Sequence, residues 1–85
     1  MGDVERLALL RFLAAKPGGG FTQRDVAEAL RVSKVQARRR LQAAVAEGLV
    51  EVALDESRST PGRRVFSLRD PKGLAELKRL ERGSH

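Results

Sequence analysis

An 85-residue chain has room for one small domain, and a domain of that size buries only about 60–65% of the surface its unfolded chain exposes. With 41% apolar residues, 4% aromatics and neither Trp nor Tyr, the core must be mainly Leu, Val and Ala; with no Cys, disulfides, thiolate metal ligands and a thiol nucleophile are excluded. The net charge of +6, from 17 Lys and Arg against 11 Asp and Glu, favours polyanionic partners through phosphate neutralisation and counterion release.

The segment Met1-Gly2-Asp3-Val4-Glu5-Arg6 is charged where a signal peptide needs an apolar run. No stretch approaches the roughly 20 apolar residues that span a bilayer. These features predict a soluble cytoplasmic protein with no membrane association.

In chain order, Val4, Leu7, Leu10 and Ala14 recur at helical steps, with Leu9, Phe12 and Leu13 widening the stripe. They predict a helix from Val4 to Ala15, with Asp3 as its N-cap and Lys16-Pro17-Gly18-Gly19-Gly20 as its end. Thr22, with Asp25 three residues on, opens a short helix from Gln23 to Leu30 in a weak form of the capping box. Ser33-Lys34-Val35-Gln36 is the stronger Ser-x-x-Gln box and starts a third helix running to Glu47. Gly48 then stands where a left-handed C-cap belongs.

After Gly48 the period changes from helical to alternating. Val50, Val52 and Leu54 are expected to turn inward from a strand. Glu56 to Gly62 is a polar loop, and Arg63 to Leu68 resumes alternation, giving an antiparallel hairpin with a long tip. Asp70-Pro71 caps a last helix, with Pro71 in its first position and Leu74, Leu77 and Leu80 on its apolar face. Arg82-Gly83-Ser84-His85 reads as an expression-tag remnant, or else a natural tail, so the domain is placed at residues 1–81 and 82–85 set apart.

The order is therefore helix, helix, helix, strand, basic loop, strand, helix, an α+β arrangement. The run Val32-Ser33-Lys34-Val35-Gln36-Ala37-Arg38-Arg39-Arg40-Leu41, continuing through Glu47-Gly48-Leu49-Val50, resembles the recognition helix of bacterial winged helix-turn-helix regulators. Thr60-Pro61-Gly62-Arg63-Arg64-Val65-Phe66-Ser67-Leu68 is similar to the wing of that superfamily. The resemblance spans Val4 to Leu80 and implies a three-helix core, a two-stranded antiparallel wing and a C-terminal helix. It implies a regulator that binds double-stranded DNA and catalyses nothing. One departure is Ala44, where many relatives carry a large apolar residue.

The residues support that implication independently. Helical geometry puts Ala37, Leu41, Ala44 and Gly48 on one face of the third helix, and Val35, Arg38, Arg39, Gln42 and Ala46 on the other. A helix entering the major groove needs long donors on its outer face, where Arg pairs with guanine, Gln with adenine, and a valine can meet a thymine methyl. Lys34, Val35, Gln36, Arg38, Arg39 and Gln42 are the candidates for base and phosphate contact; Arg40 lies nearer the buried face and suits a flanking contact. A merely solvated face is the alternative. From Arg24 to Arg40 six basic residues face two acidic ones, so the arginine run lacks local compensation.

On the wing, residues 56–64, Arg58, Arg63 and Arg64 are candidates for the backbone or minor groove, or else charges that deter edge pairing. Thr22 and Gln23 are candidate phosphate donors, although capping alone explains Thr22. Leu74, Leu77 and Leu80 fit core packing combined with part of a homodimer interface.

No catalytic group, cofactor or metal is expected. The only histidine is His85, and Gly18-Gly19-Gly20 lacks the Lys-Ser/Thr of a phosphate loop. Two other readings stay open. A winged helix can serve as a protein–protein assembly module in a larger complex. RNA binding is the other, although exposed aromatics for stacking on single strands are lacking.

Overall fold

Leu9, Leu10 and Leu13 are fully buried and form the centre on which the other elements close. The computed structural model describes residues 2–15, 20–55 and 63–83. Its elements are α1 (Asp3–Ala14), α2 (Gln23–Leu30), α3 (Lys34–Ala46), β1 (Val50–Asp55), β2 (Arg63–Leu68) and α4 (Lys72–Gly83). This is the expected order of three helices, a wing and a closing helix.

Helix α1 packs against α4 and α2 against α3, while α3 leads into the wing. Val26 and Ala27 of α2, then Ala37, Leu41 and Ala44 of α3, complete the helical part of the core. Leu49, Val50, Phe66, Leu77 and Leu80 close it from the sheet and α4. The wing strands pair antiparallel, with Val50 opposite Leu68, Val52 opposite Phe66 and Leu54 opposite Arg64.

A backbone pairing outside the hairpin was not foreseen. The Phe21 N–H donates to the Phe66 carbonyl (2.8 Å) and the Phe66 N–H donates back (2.7 Å), so the entry to α2 is hydrogen-bonded to β2. The Phe21 ring lies 4.5 Å from that of Phe12, tying the same corner to α1.

Several expectations need correction. The N-cap of α1 is Gly2, with Asp3 already helical, and Val4 is 83% exposed rather than part of the buried stripe. Helix α4 begins at Lys72, so Pro71 stands just before it rather than in its first position, its carbonyl accepting from the Ala75 N–H (2.9 Å). Of the three residues expected to turn inward from β1, only Val50 is buried. Val52 and Leu54 share its face but are 46% and 63% exposed, because the ribbon runs on past the edge of the core. Leu77 and Leu80 lie in the core, as core packing of the leucine set expects, and Leu74 is at the margin of exposure. Residues 56–62, including Arg58, and 84–85 lie outside the described residues.

Gly73 sets how closely α4 approaches the wing. A Cβ there would lie 2.4 Å from the Leu49 carbonyl oxygen and 2.8 Å from Leu68 Cδ1. That carbonyl cannot easily retreat, since it accepts from the Arg69 N–H at 2.9 Å. Gly73→Ala is therefore expected to destabilise the domain by about 2 kcal/mol or more, as overpacking against fixed backbone does, measured by urea unfolding. A loss under ~0.5 kcal/mol would mean that α4 docks more loosely than described.

Arg6 gathers the carboxylates of three helical regions. Its guanidinium reaches Glu47 at the end of α3 (2.7 Å), Glu76 on α4 (3.6 Å) and Asp3 on its own helix (3.9 Å). Arg79 also bonds Glu76. That Arg79 hydrogen bond is the largest influence holding the Glu76 carboxyl below its ordinary range; burial opposes it, and the charges of Arg79, Arg6 and Lys72 reinforce it. A carboxylate with a depressed folded pKa stabilises the fold above its unfolded value, about 4.3, and the stabilisation is lost as pH falls through the folded value. Glu76→Gln should thus lower Tm at pH 7, and its gap from wild type should close as pH drops below ~4, read from paired thermal melts.

Candidate nucleic-acid interface

The helix-turn-helix is built by local hydrogen bonds. The Thr22 hydroxyl accepts from the Asp25 N–H (3.1 Å) and the Asp25 carboxylate accepts from the Thr22 N–H (2.9 Å), a complete reciprocal box. The Ser33 hydroxyl accepts from the Gln36 N–H (3.1 Å) to cap α3, while the Gln36 side chain stays exposed. The reciprocal box thus forms at Thr22 rather than at Ser33. Between the caps, Arg31 adopts the left-handed conformation (φ 56°, ψ 46°), and the Val32 N–H donates back to the Ala27 carbonyl (3.1 Å). This bond closes the end of α2 and turns the chain into α3.

Gln23 Nε2 donates to the Lys34 carbonyl (3.1 Å), locking the start of α2 to the start of α3. Gln23 is therefore at least partly a structural residue, and the Thr22 oxygen is occupied as a cap acceptor.

Helix α3 presents the two faces expected of it. Ala37, Leu41 and Ala44 are each 0% exposed, and Val35, Arg38, Arg39, Gln42 and Ala46 are all exposed. Gly48, with φ 76°, ends the helix, and the Lys72 ammonium lies against it, where a cation complements the negative end of the helix dipole. Between α3 and the wing runs a groove of about 530 Å³. Val45, Ala46, Val52 and Phe66 contribute apolar lining, and Lys34, Arg38, Gln42, Arg64 and the start of α2 contribute polar lining. Arg64 reaches this groove from β2; Arg63 belongs to the same strand.

The apolar lining was not read as part of the site. Its signal was Val45 and Ala46, flanking the buried stripe of α3, together with the face shared by Val52 and Phe66.

Charge is sorted across the molecule. Among the described residues, the carboxylates within ion-pair distance of a cation are paired with Arg6, Arg11, Arg24, Arg40, Arg69 and Arg79. None of them pairs with Lys34, Arg38, Arg39 or Arg64. Arg40, foreseen as a flanking contact, is instead drawn to Glu5 of α1 at 3.6 Å. Among the described residues, Lys34, Arg38 and Arg39 on the outer side of α3 and Arg64 on β2 thus stand without an ion-pair partner.

Two further absences hold for the described residues. No helix is long and apolar enough to cross a membrane, and no group of three or more His, Cys, Asp or Glu is arranged to hold a metal ion.

A profile of the MarR family matches residues 3–64, most of the chain. The chain belongs to the MarR family. MarR-family regulators are winged-helix, non-enzymatic DNA-binding proteins. Solved structures agree on the fold. MepR of Staphylococcus aureus, a transcription regulator of the multidrug efflux pump MepA, superposes with a TM-score of 0.77 at 22% identity, over 92% of this chain and 54% of that one. A MepR–DNA complex gives 0.78 at 22% identity, over 92% and 60%. A PadR-like transcriptional regulator from Bacillus cereus gives 0.78 at 21% identity, over 94% and 80%. This MarR-family chain spans little more than half the length of the MepR chains it resembles. A search of curated proteins gives no match.

The left-handed Arg31 offers a test of the turn. A non-glycine residue there costs about 1–2 kcal/mol in backbone strain, whereas glycine brings an unfolded-state entropy penalty of about 0.5–1. Arg31→Gly is therefore expected to be neutral or stabilising by up to ~1 kcal/mol. Arg31→Val should destabilise by more than about 1 kcal/mol, since a β-branched side chain tolerates positive φ least. The reverse order in urea unfolding would contradict the turn geometry.

Proposed function

We propose that this MarR-family chain binds double-stranded DNA sequence-specifically and regulates transcription, with residues 34–47 in the major groove and the wing on the flanking backbone or minor groove. The observation that carries the reading is the face on which Lys34, Arg38, Arg39 and Arg64 stand without a carboxylate partner among the described residues. An uncompensated cluster of this kind is costly through self-repulsion unless an anion relieves it.

The roles follow from chemistry. Arg38, Arg39 and Gln42, with Gln36 and the 60%-exposed Val35 nearer the N-terminus, read base edges. Lys34, with Thr22 and Gln23, meets phosphate at the start of α3, where the helix dipole is positive. Arg64, with Arg58 and Arg63, tracks the backbone or a narrow minor groove. Two copies would address half-sites about 34 Å apart, with Leu74 the one member of its leucine set left at the surface. Such a regulator works in the cytoplasm at the nucleoid.

A second reading rests on the exposed Val35, Val52 and Leu54, which suit an assembly module within a larger complex. The arginines between them disfavour it, because buried charges without partners weaken a protein interface.

The test is a titration against a labelled random-sequence duplex at 50 and 200 mM salt, followed by selection of a preferred site. Wild type is expected to bind at micromolar concentration or tighter and to weaken steeply with salt. The Arg38→Ala/Arg39→Ala variant should lose preference for the selected site while keeping its Tm. Arg63→Ala/Arg64→Ala should weaken binding to all sequences and flatten the salt slope by about 0.9 per lost phosphate contact. No binding by folded wild type at low salt would transfer support to the assembly reading.

A further inference from the structure

Arg38, Arg39 and Arg40 are consecutive, yet the structure treats the third differently. Arg38 and Arg39 are exposed, whereas the Arg40 side chain is 19% exposed and its guanidinium is 3.6 Å from a carboxylate oxygen of Glu5 on α1. The other oxygen of that carboxylate accepts from the Gly2 N–H at 3.4 Å, closing the start of α1. Glu5 is thus placed by its own helix cap, and from there it holds Arg40 inward. The two residues share a groove of about 250 Å³ with Gln36, Arg39 and Ala43, on the flank of α3 away from the wing.

We infer that Glu5 is a specificity-determining residue: it withholds Arg40 from the DNA backbone and so limits how much of the affinity is independent of sequence. The inference rests on the DNA-binding reading above. Gln36 and Arg39 border the same groove and are assigned to the duplex, so an arginine released from Glu5 is free to turn toward the same polyanion. A phosphate contact adds affinity for every sequence alike. Neutralising Arg40 internally therefore leaves a larger share of the binding free energy to the base contacts. An ion pair this exposed on its Glu5 side (48%) is weak, so the control it exerts is a modest fold-change and not an on–off switch.

The experiment measures binding of the full chain to a random-sequence duplex and to its selected site, across a salt series, with thermal melts confirming the fold. Glu5→Gln, whose amide oxygen can still accept from the Gly2 N–H, is expected to tighten random-duplex binding about three- to tenfold at low salt. Its salt slope should steepen by about 0.9, one extra phosphate, and its ratio of specific to random affinity should fall. Arg40→Gln alone should leave the slope at the wild-type value, and Glu5→Gln in the Arg40→Gln background should gain nothing. Glu5→Asp keeps the charge but shortens the reach to Arg40, so it should behave like Glu5→Gln.

An unchanged slope in Glu5→Gln overturns the inference. So does an equal gain with or without Arg40, or wild-type behaviour in Glu5→Asp, because each points to loss of a negative charge rather than release of the arginine. A flatter slope in Arg40→Gln also overturns it, showing Arg40 already on phosphate. If folded wild type binds no duplex, the DNA-binding reading and this inference fall together; if wild type binds and only the Glu5 variants disappoint, this inference alone falls.

Discussion

The outward chemistry of α3 depends on what the helix buries. Ala37, Leu41 and Ala44 are wholly enclosed, and in a rigid helix with 3.6 residues per turn their placement dictates where every other side chain points. Two of the three are alanines, so the helix is seated by close approach rather than by bulk. Leu9, Leu10 and Leu13 of α1 supply the bulk from their side of the core. The Ser33 cap at one end and left-handed Gly48 at the other give the seated helix defined limits. With burial and both ends set, Arg38 and Arg39 need no further guidance to face solvent together.

A second constraint is electrostatic and acts over the whole molecule. A domain with a net charge of +6 must place its acids somewhere, and here many serve as internal fasteners around α1 and α4. Glu47 and Glu76 converge on Arg6, Arg11 reaches Glu81, and Glu5 takes Arg40. Most of these pairs are exposed enough to add little stability individually. Their larger effect is spatial, because the carboxylates paired around α1 and α4 leave Lys34, Arg38, Arg39 and Arg64 without an ion-pair partner among the described residues. Segregated charge and a seated helix together turn an ordinary small fold into a surface that favours polyanions.

Much of this was legible in the sequence because it is local. Apolar spacing located all four helices, Thr22, Ser33 and Gly48 marked boundaries to within a residue, and periodicity separated the two faces of α3. What escaped detection depends on distance or on rotamers. Alternation states which residues of β1 share a face, but not how far along the strand the core reaches, so Val52 and Leu54 were expected inside. Phe21 contributes a single rung, and one residue has no period. The short carboxylate of Asp25 folds back onto Thr22, whereas the longer Gln36 side chain stays in solvent, reversing the expected order of the two caps. Arg40 and Glu5 are far apart in sequence, and only the packing of α1 on α3 makes them neighbours.

The overhang of the wing has its own consequence. Beyond Val50 and Phe66 the ribbon is held by inter-strand hydrogen bonds with little apolar burial, since the next two inward-facing positions of β1 are substantially open to water. Its outer rungs can part without breaking any contact in the helical core, so their amides belong to a lower rung of the opening free-energy ladder than those of α1 or α3. The domain thus joins a helix whose geometry costs the whole fold to disturb to a ribbon that yields locally. Displacement of the ribbon's outer end therefore leaves the placement of α3 unchanged.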